Sequence, residues 1–524
     1  MFTRRWAAPA VLILVAAPVF AQNPPAPPST TSTTSRAPGI TLDSTLLAGF
    51  RWRNIGPANM GGRVSSVVGI PSPSRTFFVA AAAGGIWKTT NAGTTFRPVF
   101  DNQPCVSMGE LAIAPSDTQQ VWAGTGEEDS RNTISPGCGI FKSTDGGLTW
   151  KRMGLEKTGA IGRIVVHPSD PNIVYVAALG QPWSANPERG LYKTTDGGQS
   201  WQLVKSISPQ TGFVDVAMDP SNPEVLFASS WQRVRGPYFL NSGGPGSALW
   251  KTTDGGKNWA QVKGGGLPTT TLGRIGIAIA ASDPKVVYLM LEADTNANAQ
   301  GGAGKAPQVR PSGLYRSADG GATWEKTNSN NVRPFYYSQV RVDPKDANRV
   351  YWSSTPVNFS NDGGKTVGNA TVGIHVDHHS MWIDPNDPNH IIVGNDGGVA
   401  QSWDRGGNWD FLNTFAIGQP YIVSFDMNFP YGVCAGYQDN GSWCGPSRRR
   451  QGDLTNADWT TVGGGDGFYT AQDPTDPNII YVESQGGNMS RLNFATGERT
   501  VLQKPNWRPR YTVFEDSIVI ERPD

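Results

Sequence analysis

The chain has almost no excess charge of either sign: 44 Lys and Arg stand against 43 Asp and Glu, a formal net charge of +1 over 524 residues. Nucleic-acid binding needs a basic footprint, so nucleic acid is not an expected partner. Cysteine is scarce, with four copies and no CxxC pair, which argues against a cysteine-built zinc site. Histidine is nearly as scarce, with five copies. Beyond the first 21 residues there is no apolar run approaching the roughly 20 residues of a membrane span. Gly (63), Pro (40) and Trp (18) are abundant instead. That mixture suits many short strands, tight turns and large aromatics between them.

The N-terminus reads as an export leader over residues 1–21. Arg4 and Arg5 precede an apolar run from Ala7 to Phe20, with a cut expected after Ala21. No cysteine follows the cut, so a lipid anchor there is not expected. Residues 22–44 form a Pro/Ser/Thr tether that cannot build a core. The expected location is secreted or periplasmic, where disulfides persist. Cys434 and Cys444 flank one short segment and can close a hairpin, leaving Cys105 and Cys138. Four cysteines allow three connectivities, so the pairing stays open.

Self-similarity dominates what is left. "WKTTNAGTTF" at Trp87 returns as "FKSTDGGLTW", "YKTTDGGQSW", "WKTTDGGKNW" and "YRSADGGATW", then more loosely as "SNDGGKTV" and "SWDRGGNW". The copies recur at intervals of roughly 40–65 residues, the spacing of propeller blades with variable insertions. A second motif keeps phase with it, as in "HPSDPNIVYVAALG" and "DPNDPNHIIVGND": an Asp/Pro/Asn turn and then a β-branched strand. One unit is therefore strand, DP turn, strand, loop, strand, Asp-Gly-Gly turn, strand. This is a four-stranded antiparallel blade. In the Asp-Gly-Gly turn the hydroxyl and carboxylate can take up backbone N–H groups and the closing Trp can pack on a neighbouring blade. Asp145, Asp196, Asp254, Asp319, Asp362 and Asp404 are expected to have this structural role. Strand motifs extend the count to about nine blades over residues 45–505. They form either one large ring or a seven-bladed ring plus part of a second, with "FRWRNIGP" at Phe50 as a closing strand. Residues 506–524 are expected to form a C-terminal segment, read as truncated.

The S/T-x-D-x-G-x-T/S-W repeat resembles the Asp-box, or BNR, repeat of sialidases, xyloglucan-cleaving glycoside hydrolases and the sortilin/VPS10 luminal propeller. Across residues 45 to 500 the chain resembles secreted bacterial BNR proteins called sortilin-like or glycosyl-hydrolase-like. The resemblance implies an all-β propeller. It also carries departures. Sialidases have an Arg-Ile-Pro motif, whereas "RNIGP" stands at Arg53. In xyloglucanases a catalytic Asp precedes Gly-Gly in the first blade, and "AAAAGGIW" places alanine there (about Ala82–Ala83); Asp396 in "NDGG" resembles the other acid.

Three groups on the loop face are candidates for chemistry. "HVDHHS" holds His375, Asp377, His378 and His379. Strand alternation would put His375, Asp377 and His379 on one side, as a divalent-metal site or a general base. Asp396, Asp439 and Asp466 occupy Asp-Gly and Asp-Asn-Gly loops; two such acids flanking a sugar bond would carry glycoside hydrolysis. "GTGEEDSRN" supplies Glu127, Glu128, Asp129, Arg131 and Asn132. Beside it Arg63, Arg163 and Arg274, each in a "GR", would clamp a carboxylate or a peptide terminus. Structural bracing and turn chemistry compete with each of these readings. The leading expectation is an exported binding module for a peptide, protein or glycan, without a required cofactor. The alternative is a glycoside hydrolase of xyloglucanase-like or sialidase-like propeller type.

Overall fold

A computed structural model describes residues 44–50, 53–129, 134–293, 311–502, 510–513 and 518–521. The expected leader, nearly all of the tether, and Arg131 and Asn132 lie outside these. The chain divides into two compact units, Met1–Arg53 and Asn54–Asp524. In the first, one helical turn is described, Ser44–Leu47. The second holds every described sheet.

Nine antiparallel sheets follow one another along the second unit, each built from consecutive strands. We number them in chain order. Blades 1 to 7 open with Val64–Gly69, Met108–Ala114, Ile161–Val166, Thr211–Met218, Leu272–Ile279, Val340–Asp343 and His378–Ile383. Sheets 8 and 9 open with Pro420–Phe425 and Gly467–Gln472. Eight are four-stranded. Blade 4 gains a fifth strand, Leu240–Ser242, on the overhanging end of its long second strand, Leu226–Arg235. A separate hairpin pairs Arg510–Val513 with Ile518–Glu521.

Each blade has two apolar faces, and each face is covered by the next blade. The seam between blades 1 and 2 buries Phe78, Leu111, Val121 and Phe141. Those that follow bury Trp122 and Ile164, then Tyr175 and Val216, then Phe227 and Leu289. Tyr288 and Trp352 mark the next, and Tyr351 and Val393 the one between blades 6 and 7. Blade 7 then returns to blade 1, where Ile392 and Val399 pack with Val64 and Val79. Seven seams close seven blades, so the ring is seven-bladed. Sheets 8 and 9 meet each other over Val462, Ile480 and Val482 in the same manner, outside that ring. The expected closing strand falls partly outside the described residues; residues 53–63 carry no strand, and blade 7 meets blade 1 by packing.

The Asp-box turns join the third and fourth strands of the seven ring blades. In blade 3 the Thr194 hydroxyl donates to Asp196 (2.7 Å) and accepts the Gly198 N–H. The Asp196 carboxylate accepts the Ser200 N–H and hydroxyl. The same wiring recurs at Asp145, Asp254, Asp319, Asp362 and Asp404, and Asn91 takes the acid's place in blade 1. Glycines at positive φ, such as Gly146 (68°) and Gly147 (83°), make the turn possible. Trp201 and Trp409 reach back to the preceding blade, donating to Met153 O and Ala370 O.

Candidate functional site

Topology decides which residues can meet. In an up-and-down blade the turns after strands 1 and 3 lie on one face, and those after strands 2 and 4 lie on the other. The DP turns and Asp-boxes therefore share a face. The opposite face receives the lead-in to every inner strand and every second-to-third strand loop. Arg63, the 126–129 loop, His375 to His379, Asp396, Asp439 and Asp466 all fall there.

The network at this face is built across the ring. Arg63, wholly buried before blade 1, bonds Asp396 through Nε (2.8 Å) and Glu127 through Nη1 (3.1 Å). Its Nη2 lies 3.9 Å from Asp439. Arg274 of blade 5 bonds Asp129 (2.9 Å) and lies 3.6 Å from Glu128. His379 of blade 7 lies between Asp396 (2.8 Å from Nε2) and Asp129 (3.2 Å from Nδ1). Residues 127–129, which follow the second strand of blade 2, are thus held from blades 1, 5 and 7. Deeper, Arg163 of blade 3 bonds Glu110 (2.6 Å) and Asp215 (2.8 Å) of its two neighbours. Arg63, Arg163 and Arg274 therefore each pair with protein carboxylates.

Burial and pairing set the charges. Burial alone would lower the His379 pKa, but Asp396 and Asp129 raise it to about 10, which favours the imidazolium; Nε2 hydrogen-bonds Asp396 and Nδ1 faces Asp129 as an ion pair. In turn, and against burial, His379 and Arg63 hold Asp396 well below the ordinary carboxylate range. Burial pushes Glu127 up to about 7 despite Arg63, and lifts Glu128 with help from Asp129. His378 does not hydrogen-bond into this network: burial lowers it to about 3, and neither ring nitrogen has a hydrogen-bond partner.

The expected trio His375, Asp377 and His379 is not assembled. The inner strand begins at His378, and a bulge separates His378 from Ser380, so strand alternation does not extend back to His375. His375 Nε2 instead approaches the Asp439 carbonyl (3.4 Å). What does converge is Asp377, Asp396 and Asp439, which can each offer an oxygen within 4.8 Å of the others. Asp396 is already neutralised by Arg63 and His379, which makes this a poor cation cage. Asp377 and Asp439 are half-buried and open to solvent.

Second contacts orient both open acids. The Tyr337 hydroxyl donates to Asp377, and its neighbour Tyr336 donates to Asp396 (3.0 Å). Asp439 sits in a left-handed conformation (φ 60°) at the sheet 8 hairpin, and its N–H donates to Asp466 (2.6 Å). Asp466 thus holds the hairpin that presents Asp439. Sequence reasoning missed the tyrosines, although "RPFYYSQV", an aromatic pair just ahead of an inner strand, was a readable signal. Two disulfides brace the region, Cys105–Cys138 and Cys434–Cys444.

Comparison with known proteins agrees with this fold. Residues 138–280 match the family model described as Sortilin, neurotensin receptor 3. A xyloglucanase of Hypocrea jecorina is 29% identical over 189 residues, 33% of this chain and 21% of that protein. A xyloglucanase of a Paenibacillus species is 25% identical over 261 residues, 46% of this chain and 24% of that protein. The matched stretch is thus about a quarter of the length of these relatives. Among solved structures, a GH74 enzyme of Niastella koreensis superimposes with a TM-score of 0.58 at 17% identity, covering 85% of this chain and 67% of that one. The chain is a β-propeller similar to those of sortilin and the xyloglucanases.

Proposed function

We propose that the protein is a polysaccharide-cleaving propeller, a glycoside hydrolase whose acids are Asp377 and Asp439. One observation carries this reading. Two solvent-open carboxylates, brought from blade 7 and from sheet 8, lie within 4.8 Å of each other beside the buried Arg63. That closeness lets both carboxylates reach one glycosidic bond, as the acid pair of a glycoside hydrolase must. Asp439, facing Arg63, is the nucleophile. Asp377, bonded by Tyr337, is the acid that protonates the leaving oxygen. Asp466 positions Asp439, and Asp396 anchors the network without touching substrate. The xyloglucanase relatives favour a β-linked glucan as substrate. The leader expected at residues 1–21 would place the reaction outside the cytoplasm; no described helix is long and apolar enough to span a membrane.

The test is release of reducing ends from β-glucans and xyloglucan, with the anomer of the first product read by NMR. Asp439→Asn and Asp377→Asn should each lower turnover by about a hundred-fold or more, consistent with loss of a nucleophile or acid. Unchanged turnover in both variants contradicts the assignment. The second reading, a peptide-binding module, is favoured by the sortilin family match over blades 2 to 5. It gains if peptides bind at this face while no glucan is cleaved.

A further inference from the structure

The arginine that best fits an external anion is one that the sequence pattern did not single out. Arg233 stands on the overhanging end of blade 4's second strand and is 1% exposed. Its Nε and Nη2 have no hydrogen-bond partner. A buried donor left unsatisfied is destabilising, and a charged one more so. The surroundings add to the strain. Arg189, Arg235 and Arg274 all lie near enough to repel it. Arg189 is capped by the carbonyls of Gln181, Ser184, Gln210 and Arg233 itself. The guanidinium of Arg274 lies 5.6 Å from the ring of Trp231, and that of Arg233 lies 5.0 Å from the same ring. The nearby acids are engaged: Asp129 by Arg274 and His379, and Glu292 by the Ser242 hydroxyl and the Arg274 N–H.

Two loops border this cluster on the same face as Asp377 and Asp439. Trp183, 42% exposed, lies in the second-to-third strand loop of blade 3, with the Arg235 guanidinium 5.8 Å from its ring. Tyr238, 96% exposed, is at the tip of the blade 4 overhang. The loops are joined by one backbone bond, Arg235 N–H to Pro182 O (2.8 Å).

We propose that this cluster binds the ring carboxylate of an acidic saccharide, with Arg233 as the pairing group and Trp183 as the stacking surface for the sugar. The proposal rests on the polysaccharide reading above and names a charged substrate class for it, a β-glucan carrying uronic acid. A planar guanidinium with two free N–H donors matches a carboxylate edge to edge. An exposed indole offers a sugar the flat apolar face it needs.

The experiment is calorimetry on the full chain. Its arms are a glucuronate-bearing β-glucan oligosaccharide, the neutral oligosaccharide of equal length, and a peptide with a free C-terminal carboxylate. The acidic oligosaccharide should bind about ten-fold or more tightly than the neutral one, a charged hydrogen-bonded pair being worth that much. Arg233→Gln should remove the preference while leaving melting unchanged or raised, because an unpaired buried charge has gone. A merely structural arginine would lower it. Trp183→Ala, on the surface, should weaken both saccharides without moving the melting temperature. Equal affinities in the wild-type protein, or a preference that survives Arg233→Gln, overturn the proposal. An Arg233-dependent peptide affinity above that of the saccharide overturns the ligand class. Cleavage of neutral glucan without acidic preference sinks this inference alone. Acidic binding without cleavage of any glucan sinks the proposed function alone.

Discussion

A single aspartate in an Asp-box has nearly all its hydrogen-bonding capacity used within seven residues of chain. Asp196 illustrates this, with Thr194 and Ser200 as partners. Asp196→Ala should lower the melting temperature and leave saccharide affinity unchanged; lost binding with unaltered melting contradicts the placement. Titration gives a second check. Desolvation alone would raise Asp145, but hydrogen bonds from Thr149 and Ser143 together hold it at about 2, and Asn258 and Thr252 hold Asp254 there too. Depressed carboxylates stabilise the fold above their unfolded value of 3.8, and this stability is lost as pH falls from there towards 2. Thermal melting should therefore drop steeply between about pH 4 and pH 2, and a flat profile there is the contrary result. His379 behaves in the opposite sense. Its folded value of about 10 exceeds the ordinary 6.5. Its contribution is full below 6.5 and fades as pH rises through 10. NMR of the His379 ring should show it still protonated at pH 8; titration near 6.5 would mean the imidazole is not held by Asp129 and Asp396. The boxes were legible because each is local and repeated. Asp396 was not, since its partners Arg63, His379 and Tyr336 come from three other places in the chain.

At the level of the element, the lysine in each "KTT" or "KST" ties the ring together. Lys88, Lys142, Lys193 and Lys251 each donate to a glycine carbonyl in the next blade's box, at Gly146, Gly197, Gly255 and Gly320. Each also lies over an aromatic ring of its own blade's second strand: Phe78, Trp122, Tyr175 and Phe227. Replacing Lys193 by Met keeps the stem and removes both contacts. It should cost about 1 kcal/mol in chemical denaturation. Lys88→Met, on another seam, should add independently. Strand existence and order were readable from the alternating apolar residues and DP turns. The overhang of blade 4 was not, because "WQRVRGPYFLNS" has an ordinary strand pattern and its length is set by pairing with Leu240–Ser242. The bulge at His378 was equally hidden, and it changes which histidine meets the network.

For the molecule as a whole, the seam between blades 7 and 1 decides between one large ring and a seven-bladed one. Gly69 lies there against Trp382, whose ring would be 2.6 Å from an added Cβ. Gly69→Ala should destabilise the protein by about 1–3 kcal/mol, the usual cost of overpacking; a neutral substitution would mean the seam is not closed. Blade number was open in the sequence because seven boxes and nine strand groups disagree, and only the packing of Ile392 and Val399 on Val64 resolves it. Asp377 of blade 7 also meets Asp439 of sheet 8. That meeting is the centre of the functional account. Its most direct test is reducing-end release from a panel of neutral and acidic β-glucans by wild-type protein and by Asp439→Asn. The account predicts turnover by the wild type, reduced about a hundred-fold or more in a variant that melts normally. No turnover on any member of the panel, or equal turnover by both proteins, would contradict it.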